Sequence, residues 1–370
     1  MFKNLEIPAH LIPQDARFGV GPSLIPQEFV EKLAKTKNYL GTSHRKDNVI
    51  KVVKELQEGL KTYFNLPEGY EIVIGNGGAT LFWEIMGLSL VEAGSSHFVC
   101  GEFSEKAYKA HTNIPWIKTC REDVTFGQSI KPFHKEGFDL TCCVLNETST
   151  GVMNTYLPER KAGHLLCVDA TSGAGQIKVD FNKVDVYYFS PQKVFASEGG
   201  TYIAIMSPQA IEQAMRVSSR TDRFIPIALN LKTAIDISRL HQTYNTPCLS
   251  SLFYLNEQVK VMNKLGEDEV IRLAQEKAAI IYDWANEKDY LSHYVVDSSA
   301  RSISVATIDV DDKYPMSELA KRLRELSIAY DIEAYRRLGR NQLRIALFHN
   351  VSKEDLKKLT QIVSYAIENA

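Results

Sequence analysis

VDVYYFSPQKVFASEGG, residues 184–200, decides how the rest of the chain reads. Its apolar, aromatic run Val186–Phe189 has the make-up of a buried strand, and Ser190-Pro191 ends it. Proline donates nothing to a ladder and keeps the residue before it out of the helical region. Lys193 therefore stands just past a strand end, between apolar neighbours and a Gly199-Gly200 turn. A lysine desolvated there has a lowered pKa and a free amine that attacks carbonyls, which is Schiff-base chemistry. On this stretch alone, a solvated loop lysine is the commoner case.

Working outward, Asp169 ends a second apolar run, Leu165–Val168, 24 positions before Lys193. A pyridoxal phosphate site needs both residue types: a lysine for the aldehyde and a carboxylate that keeps the pyridine nitrogen protonated, so that the ring is an electron sink. Two further motifs follow apolar runs in the same way. NGGAT (76–80) lies between a strand and a helix, where flexible backbone and a helix N-terminus cradle an anion. Its spacing fits neither the dinucleotide nor the Walker fingerprint. NETSTG (146–151) and DATSGAG (169–175) offer hydroxyl and amide groups at the same sheet edge, although turns commonly use such residues on their own backbone.

At 370 residues the chain exceeds one compact core and fits about two domains. Hydrophobic content of 44% and charged content of 24% exclude disordered and collagen-like classes. Lys+Arg at 43 against Asp+Glu at 45 leaves a net charge of −2, with no basic block to neutralise a phosphate backbone, so nucleic acid is not an expected partner. The first 19 residues carry no apolar core behind a basic start, and nowhere do 18 apolar residues follow one another. No membrane association is expected, and the cytoplasm is the expected location. The six cysteines form no CxxC pair and read as reduced, small hydrophobes; the nine histidines show no metal-ligand spacing, so no metal is expected.

Strand-like runs alternating with helical periodicity give an α/β class, a mostly parallel sheet covered on both faces with ligands at strand C-termini. The expected strands are 71–74, 97–100, 141–145, 165–168, 186–189 and 202–206; the expected helices are 27–40, 48–64, 81–91 and 104–111. Between the first two helices GTSHR breaks the pattern and presents His44 and Arg45 on a loop. A helical bridge over about 247–286 leads to a smaller α+β layer with strands 303–308 and 343–347 and helices 316–326 and 354–367. The division expected is an arm at 1–22, a large domain at 23–255 and a small C-terminal domain with its linking helix at 256–370.

FGVGPS, GTSHR, NGGAT, GEFS, NETSTG, DATSG, SPQK, YNTP and NQLRIA occur in the order seen in phosphoserine aminotransferases, and the chain resembles that family, closest to its actinobacterial branch, over nearly its whole length. The resemblance implies fold-type I pyridoxal phosphate architecture, with a seven-stranded-type sheet in the large domain and a homodimer with shared active sites. It implies amino transfer between L-glutamate and 3-phosphohydroxypyruvate in serine biosynthesis, and leaves open the phosphorylated hydroxythreonine step of pyridoxine biosynthesis.

By the same resemblance, Lys193 is the Schiff-base lysine and Asp169 the partner of the ring nitrogen. Gly78 and Ala79 give N–H groups to the cofactor phosphate, Phe103 stacks on the ring, Thr148 bonds the ring hydroxyl, and Thr171 and Gln192 complete the pocket. Asn245 and Thr246 reach the phosphate from the neighbouring subunit, while His44, Arg45 and Arg344 bind substrate anions, as guanidinium forks do. Arg336, Arg337 and Arg340 add charge nearby, without a choice among them. Two positions depart from the family pattern: Phe103 replaces a tryptophan common there, and Ala79 an arginine found in some members. Among rivals, a cysteine desulfurase needs a cysteine in the smaller domain, and none follows Cys248. An alanine– or serine–glyoxylate aminotransferase is the alternative within the class, and a non-catalytic α/β binding protein the alternative outside it.

Overall fold

A computed structural model describes the whole chain, Met1–Ala370. The strands of the first half are β1 (Glu71–Asn76), β2 (Gly94–Val99), β3 (Lys118–Asp123), β4 (Leu140–Val144), β5 (Asn146–Glu147), β6 (Val152–Met153), β7 (Leu165–Asp169), β8 (Val186–Phe189) and β9 (Thr201–Met206). Seven of them make one sheet in the order β1-β9-β8-β7-β4-β2-β3, and β5 and β6 form a separate hairpin. Pairings among β8, β7, β4, β2 and β3 are parallel, and β9 is antiparallel to both its neighbours. Two antiparallel steps restore direction, so β1 runs with the parallel strands. Six strands therefore end on one rim, and the motifs that follow β1, β4, β7 and β8 are brought together there.

Alternation along each strand fills two cores. Leu166, Val168, Tyr187, Phe189, Ile203 and Ile205 enter one apolar cluster, and Leu165, Cys167, Val186, Tyr188, Ala204 and Met206 enter the other. A sheet buried on both faces needs apolar residues at every position, which is why these runs are continuous in sequence. The helices of this half are α1 (Gln27–Ala34), α2 (Asp47–Tyr63), α3 (Gly78–Ser89), α4 (Glu102–Thr112), α5 (Pro208–Ser218) and α6 (Leu231–Ser238).

Next come α7 (Leu249–Leu265) and α8 (Glu267–Glu287). The continuous helical bridge expected from sequence is thus broken at Gly266, whose φ of 86° no continuing helix accommodates. Helix α7 packs on α2, and α8 on the last helix, α10 (Lys353–Glu368). Between them lie α9 (Met316–Glu325) and a small antiparallel sheet of β10 (Leu291–His293), β11 (Val305–Val310) and β12 (Gln342–Ala346).

Other differences have local causes. The first helix stops at Ala34 instead of Leu40 because the chain turns through Asn38 at φ 58°. Helix α3 begins inside NGGAT, at Gly78, three residues before its expected start. The edge strand β3, KTCRED, has no apolar signal, since it is half exposed and held by backbone pairing to β2. The segment 1–22 is anchored by Phe2, Leu11, Phe18 and Val20, which are buried. Near its end it is stitched to both halves, because Ala346 N–H donates to Phe18 C=O and Ser23 N–H to Gln192 C=O.

Candidate active site

The two residues that decided the sequence reading meet at the sheet rim. Lys193 Nζ donates to the Val20 carbonyl, and a Cβ on Gly21 would lie 1.9 Å from that nitrogen. Only glycine therefore fits at position 21, where φ is 136°. Burial pushes the Lys193 pKa down to about 8; the Arg344 guanidinium adds to this and the Asp169 carboxylate opposes it. Asp169, at the end of β7, is 6% exposed. Burial raises its pKa, while Thr171, Trp83 and the Tyr188 hydroxyl pull it back. Thr171 N–H and O–H donate to Oδ1 at 3.0 and 2.6 Å, and the Trp83 indole N–H donates to Oδ2 at 2.9 Å.

Lys193, Asp169, Thr171, Gln192, Thr148, Phe103, Gly78 and Ala79 all line one cavity of about 200 Å³. At its phosphate end, Gly77 and Gly78 take φ of 116° and 71°, and Gly77 N–H is pinned to Gly200 C=O at 2.8 Å. No side chain caps α3, so its first N–H groups are free to take an anion. Gln192 Oε1 is buried there without a partner, and Ser190 Oγ lies beside Gly78, 3.2 Å from where a Cβ would stand. An uncapped helix start, a desolvated lysine and a buried carboxylate around one small cavity fit pyridoxal phosphate, with the free N–H groups suited to its phosphate, the amine to its aldehyde and the carboxylate to its ring nitrogen.

Thr148 does not hold its hydroxyl proton for a ligand. It donates to Ser172 Oγ at 2.7 Å, which leaves its oxygen as an acceptor for a ring hydroxyl. Glu147 beside it is fully buried and accepts from Phe103 N–H, Ser104 N–H and the Ser104 and Ser149 hydroxyls. This carboxylate ties NETSTG to the start of α4, and so Thr148 to Phe103. Gly101 allows the approach, since a Cβ there would sit 2.3 Å from Glu147 Cγ.

Above the cavity opens a cleft of about 1270 Å³ whose lining runs from Gly21 to the segment 331–344. Arg344, on β12, points into it with Nε buried and unpartnered, and Nη1 lies 3.3 Å from Thr148 C=O. Burial lowers its pKa, and Tyr335 and Glu333 counteract that. The three arginines left undecided by sequence now differ. Arg340 is forked onto Asp309 (Nε–Oδ1 3.0 Å), Arg337 shares Glu102 with Lys106, and Arg336 has no acidic partner. Tyr335 organises this mouth: Arg344 lies over its ring at 5.2 Å, Phe103 meets it edge-on at 5.7 Å, and Lys106 donates to its hydroxyl.

Four residues named from sequence are not at this cavity. Asn245 and Thr246 are exposed, held by Asn76 Nδ2, which donates to the Asn245 carbonyl at 3.0 Å and the Thr246 carbonyl at 3.2 Å. Arg45 is exposed too, but His44 is not presented by its loop as expected: it is 3% exposed. Burial and Arg45 lower its pKa, and the Thr243 backbone raises it. His44 thus joins the loop that carries Asn245 and Thr246.

Sequence reasoning missed Trp83, Ser190, Glu147 and Tyr335. Trp83 had a signal: it stands four residues after Ala79, on the face of α3 that starts at the cradle. Glu147 had a weaker one, a carboxylate inside a motif otherwise made of neutral donors.

The class-V aminotransferase family profile matches residues 18–359. The chain belongs to the class-V aminotransferases. A phosphoserine aminotransferase of Corynebacterium glutamicum is 44% identical over 367 residues, covering 98% of this chain and 97% of that one. One of a Nocardioides species is 42% identical with full coverage of both chains. The crystal structure of a phosphoserine aminotransferase from Cytophaga hutchinsonii superposes with a TM-score of 0.86 at 26% identity, covering 95% of this chain and 98% of that one.

Proposed function

We propose that this protein is a pyridoxal-phosphate-dependent phosphoserine aminotransferase, moving an amino group reversibly between L-glutamate and 3-phosphohydroxypyruvate to give O-phospho-L-serine and 2-oxoglutarate in serine biosynthesis. Relatives of that name at 44 and 42% identity over nearly the full chain support the substrate pair. The single observation that carries the chemistry is that Lys193 and the buried Asp169 line the same small cavity at the sheet rim.

Pyridoxal phosphate, when bound, supplies an electron sink for the carbanion at the amino acid's α-carbon. The chain's part is to hold, orient and move protons. The start of α3 at Gly78 and Ala79 would receive the phosphate, Phe103 would cover the ring, and Thr171 and Gln192 would complete the pocket. The Asp169 carboxylate accepts the N–H of the ring nitrogen and keeps the proton there. Lys193 Nζ, in its neutral form, would take the α-proton of the amino acid, which a base with a pKa near working pH does well. Arg344 grips the substrate α-carboxylate with a guanidinium whose Nε has no other partner.

The assembly in this reading is a homodimer. Asn245, Thr246, His44 and Arg45 then reach the partner's cavity, and their absence from the lining of their own supports that. We read the chain as an arm at 1–22, a large domain at 23–255 and a small domain at 256–370. No helix is long and apolar enough to cross a membrane, and a cytoplasmic location suits a biosynthetic enzyme.

The spectrum of the purified protein tests the reading. A yellow band that bleaches with L-glutamate and, in a separate sample, with O-phospho-L-serine is expected. A band that responds only to alanine or serine would keep the cofactor and overturn the substrate in favour of the glyoxylate-type alternative.

A further inference from the structure

We propose that Trp83 is a positioning residue for Asp169, its indole N–H fixing the carboxylate that holds the cofactor's ring nitrogen. The inference rests on the pyridoxal phosphate reading of the cavity. Asp169 Oδ1 receives both of its donors from Thr171, within its own turn, while Oδ2 receives Trp83 from a helix 86 positions away. Thr171 tethers the carboxylate at one oxygen only, and the Tyr188 hydroxyl helps to keep it charged. The indole engages the second oxygen and so fixes the plane. A carboxylate oxygen accepts two hydrogen bonds, so Oδ2 keeps a site for the ring N–H, and an indole N–H has no other role than to donate.

Trp83 lines the cavity and is 4% exposed, and its indole N–H is given to Asp169 Oδ2. It also sits on the helix that starts the phosphate cradle. From Gly78 to Trp83 is five residues, about 7 Å along a helix axis. One rigid element thereby sets the cradle at one end of the cavity and the carboxylate at the other.

Trp83 is itself held from behind. His111 Nε2 lies 3.0 Å from the Trp83 carbonyl, which only accepts, so that nitrogen carries the hydrogen. Nδ1 must then accept from the Ser95 hydroxyl at 2.8 Å, and the Ser95 oxygen accepts from His97 Nε2 at 3.0 Å. One set of protons satisfies the whole chain with both imidazoles neutral, and burial favours that, holding His111 at about 4 and His97 well below the usual range. Cys142 lies within 4.8 Å of one ring nitrogen of each histidine, but His111 Nδ1 and His97 Nε2 are committed to Ser95 and His111 Nε2 to the Trp83 carbonyl. The cluster is therefore read as a brace and not as a metal site.

Around Asp169 the other titratable groups are the Tyr188 hydroxyl, the Cys142 and Cys143 thiols and the Lys193 amine. Burial raises the tyrosine and both thiols, which stay neutral at working pH. The charge on the carboxyl is then set by burial against the donors from Thr171, Trp83 and Tyr188 and by Lys193. Removing the indole N–H lets burial raise it further.

The test replaces Trp83 by β-(3-benzothienyl)alanine, which keeps the ring shape and has sulfur in place of N–H, with Trp83→Phe as a second variant. In the apoprotein, the Asp169 side-chain carboxyl is followed by carbon-13 NMR against pH, and pyridoxal phosphate affinity is measured alongside. The expected result is an Asp169 midpoint about one unit higher and a cofactor dissociation constant about tenfold larger. The acid limb of the kcat profile moves to higher pH by the same amount, with KM for glutamate little changed. In the unsubstituted protein, Asp169→Asn shifts the Trp83 indole N–H resonance, a readout that stands even where the variants fold poorly. A benzothienyl variant with the original midpoint and affinity, or an indole resonance indifferent to Asp169→Asn, overturns the proposal. Both apoprotein measurements stay readable if the substrate assignment fails.

Discussion

The floor of the site and its mouth are built on different terms. At the floor, Lys193, Asp169, Thr148 and the start of α3 hang on strand ends of one sheet, and nearly every polar group is committed: Asp169 to Thr171 and Trp83, Thr148 to Ser172. At the mouth, Arg336, Arg337, Arg340 and Arg344 come from the small sheet and the segment before it, and the question is which of them is already neutralised. Arg340 belongs to Asp309 and Arg337 to Glu102, so Arg344 and Arg336 are left to meet an anion. The floor fixes a chemistry, while the mouth selects a substrate and changes at little cost to the fold.

The sharpest way to break this contrast is at the floor. Lys193→Ala is expected to lower turnover by at least about 10⁴-fold, since both the covalent anchor and the proton carrier are lost. Steady-state rates with L-glutamate and 3-phosphohydroxypyruvate check this, and a variant with near-normal rates would end the assignment. Asp169→Asn keeps the shape but removes the charge that holds a proton on the ring nitrogen, and a loss of about 10²- to 10³-fold in kcat is expected. Folding, read by circular dichroism, should change far less.

At the mouth the effects are smaller and fall on binding. Arg344→Lys keeps a positive charge and loses the fork, so KM for both amino donors should rise about 10- to 100-fold while kcat changes less. Arg340→Ala should leave KM near its original value, because its guanidinium is spent on Asp309. Equal KM effects at the two positions would mean that the ion pairs do not sort the arginines, and the contrast would dissolve.

The two regions also differed in how much of them sequence disclosed. The floor was legible because buried parallel strands are continuous apolar runs, and a charged or small residue at the end of one stands out, as Asp169 and Lys193 do. The parts of the floor that stayed hidden act from outside those runs: Trp83 looks like one more core aromatic in FWEIMG, and its indole N–H has meaning only once α3 is laid against β7. The mouth was opaque because its four arginines lie within nine residues and sequence does not show their partners. Asp309 and Glu102, which decide between them, are 31 and 235 positions away. The inward turn of His44 was hidden for the same reason, since Thr243 and the loop around it lie some 200 positions on.

The smallest expected effect asks whether mouth and floor are electrically one site. Lys193 has a pKa of about 8, lowered first by burial and next by Arg344. With a lysine the neutral form is the nucleophile, so capture of pyridoxal phosphate by the apoprotein should speed up as pH rises, by about tenfold between pH 7 and 9 for a midpoint near 8. The cofactor's own titration contributes to such a curve, but it is common to every variant. In Arg344→Gln a cation that disfavours the lysine ammonium is gone, so the ammonium persists to higher pH and the capture curve should move to higher pH relative to the unsubstituted protein. A curve that stays in place would assign the lowered pKa to burial alone, and the mouth would then govern substrate binding without touching the nucleophile. A curve that moves means that the arginine which grips the substrate also helps to keep Lys193 deprotonated, and that a bound carboxylate, by neutralising Arg344, returns basicity to the lysine when a proton has to be taken.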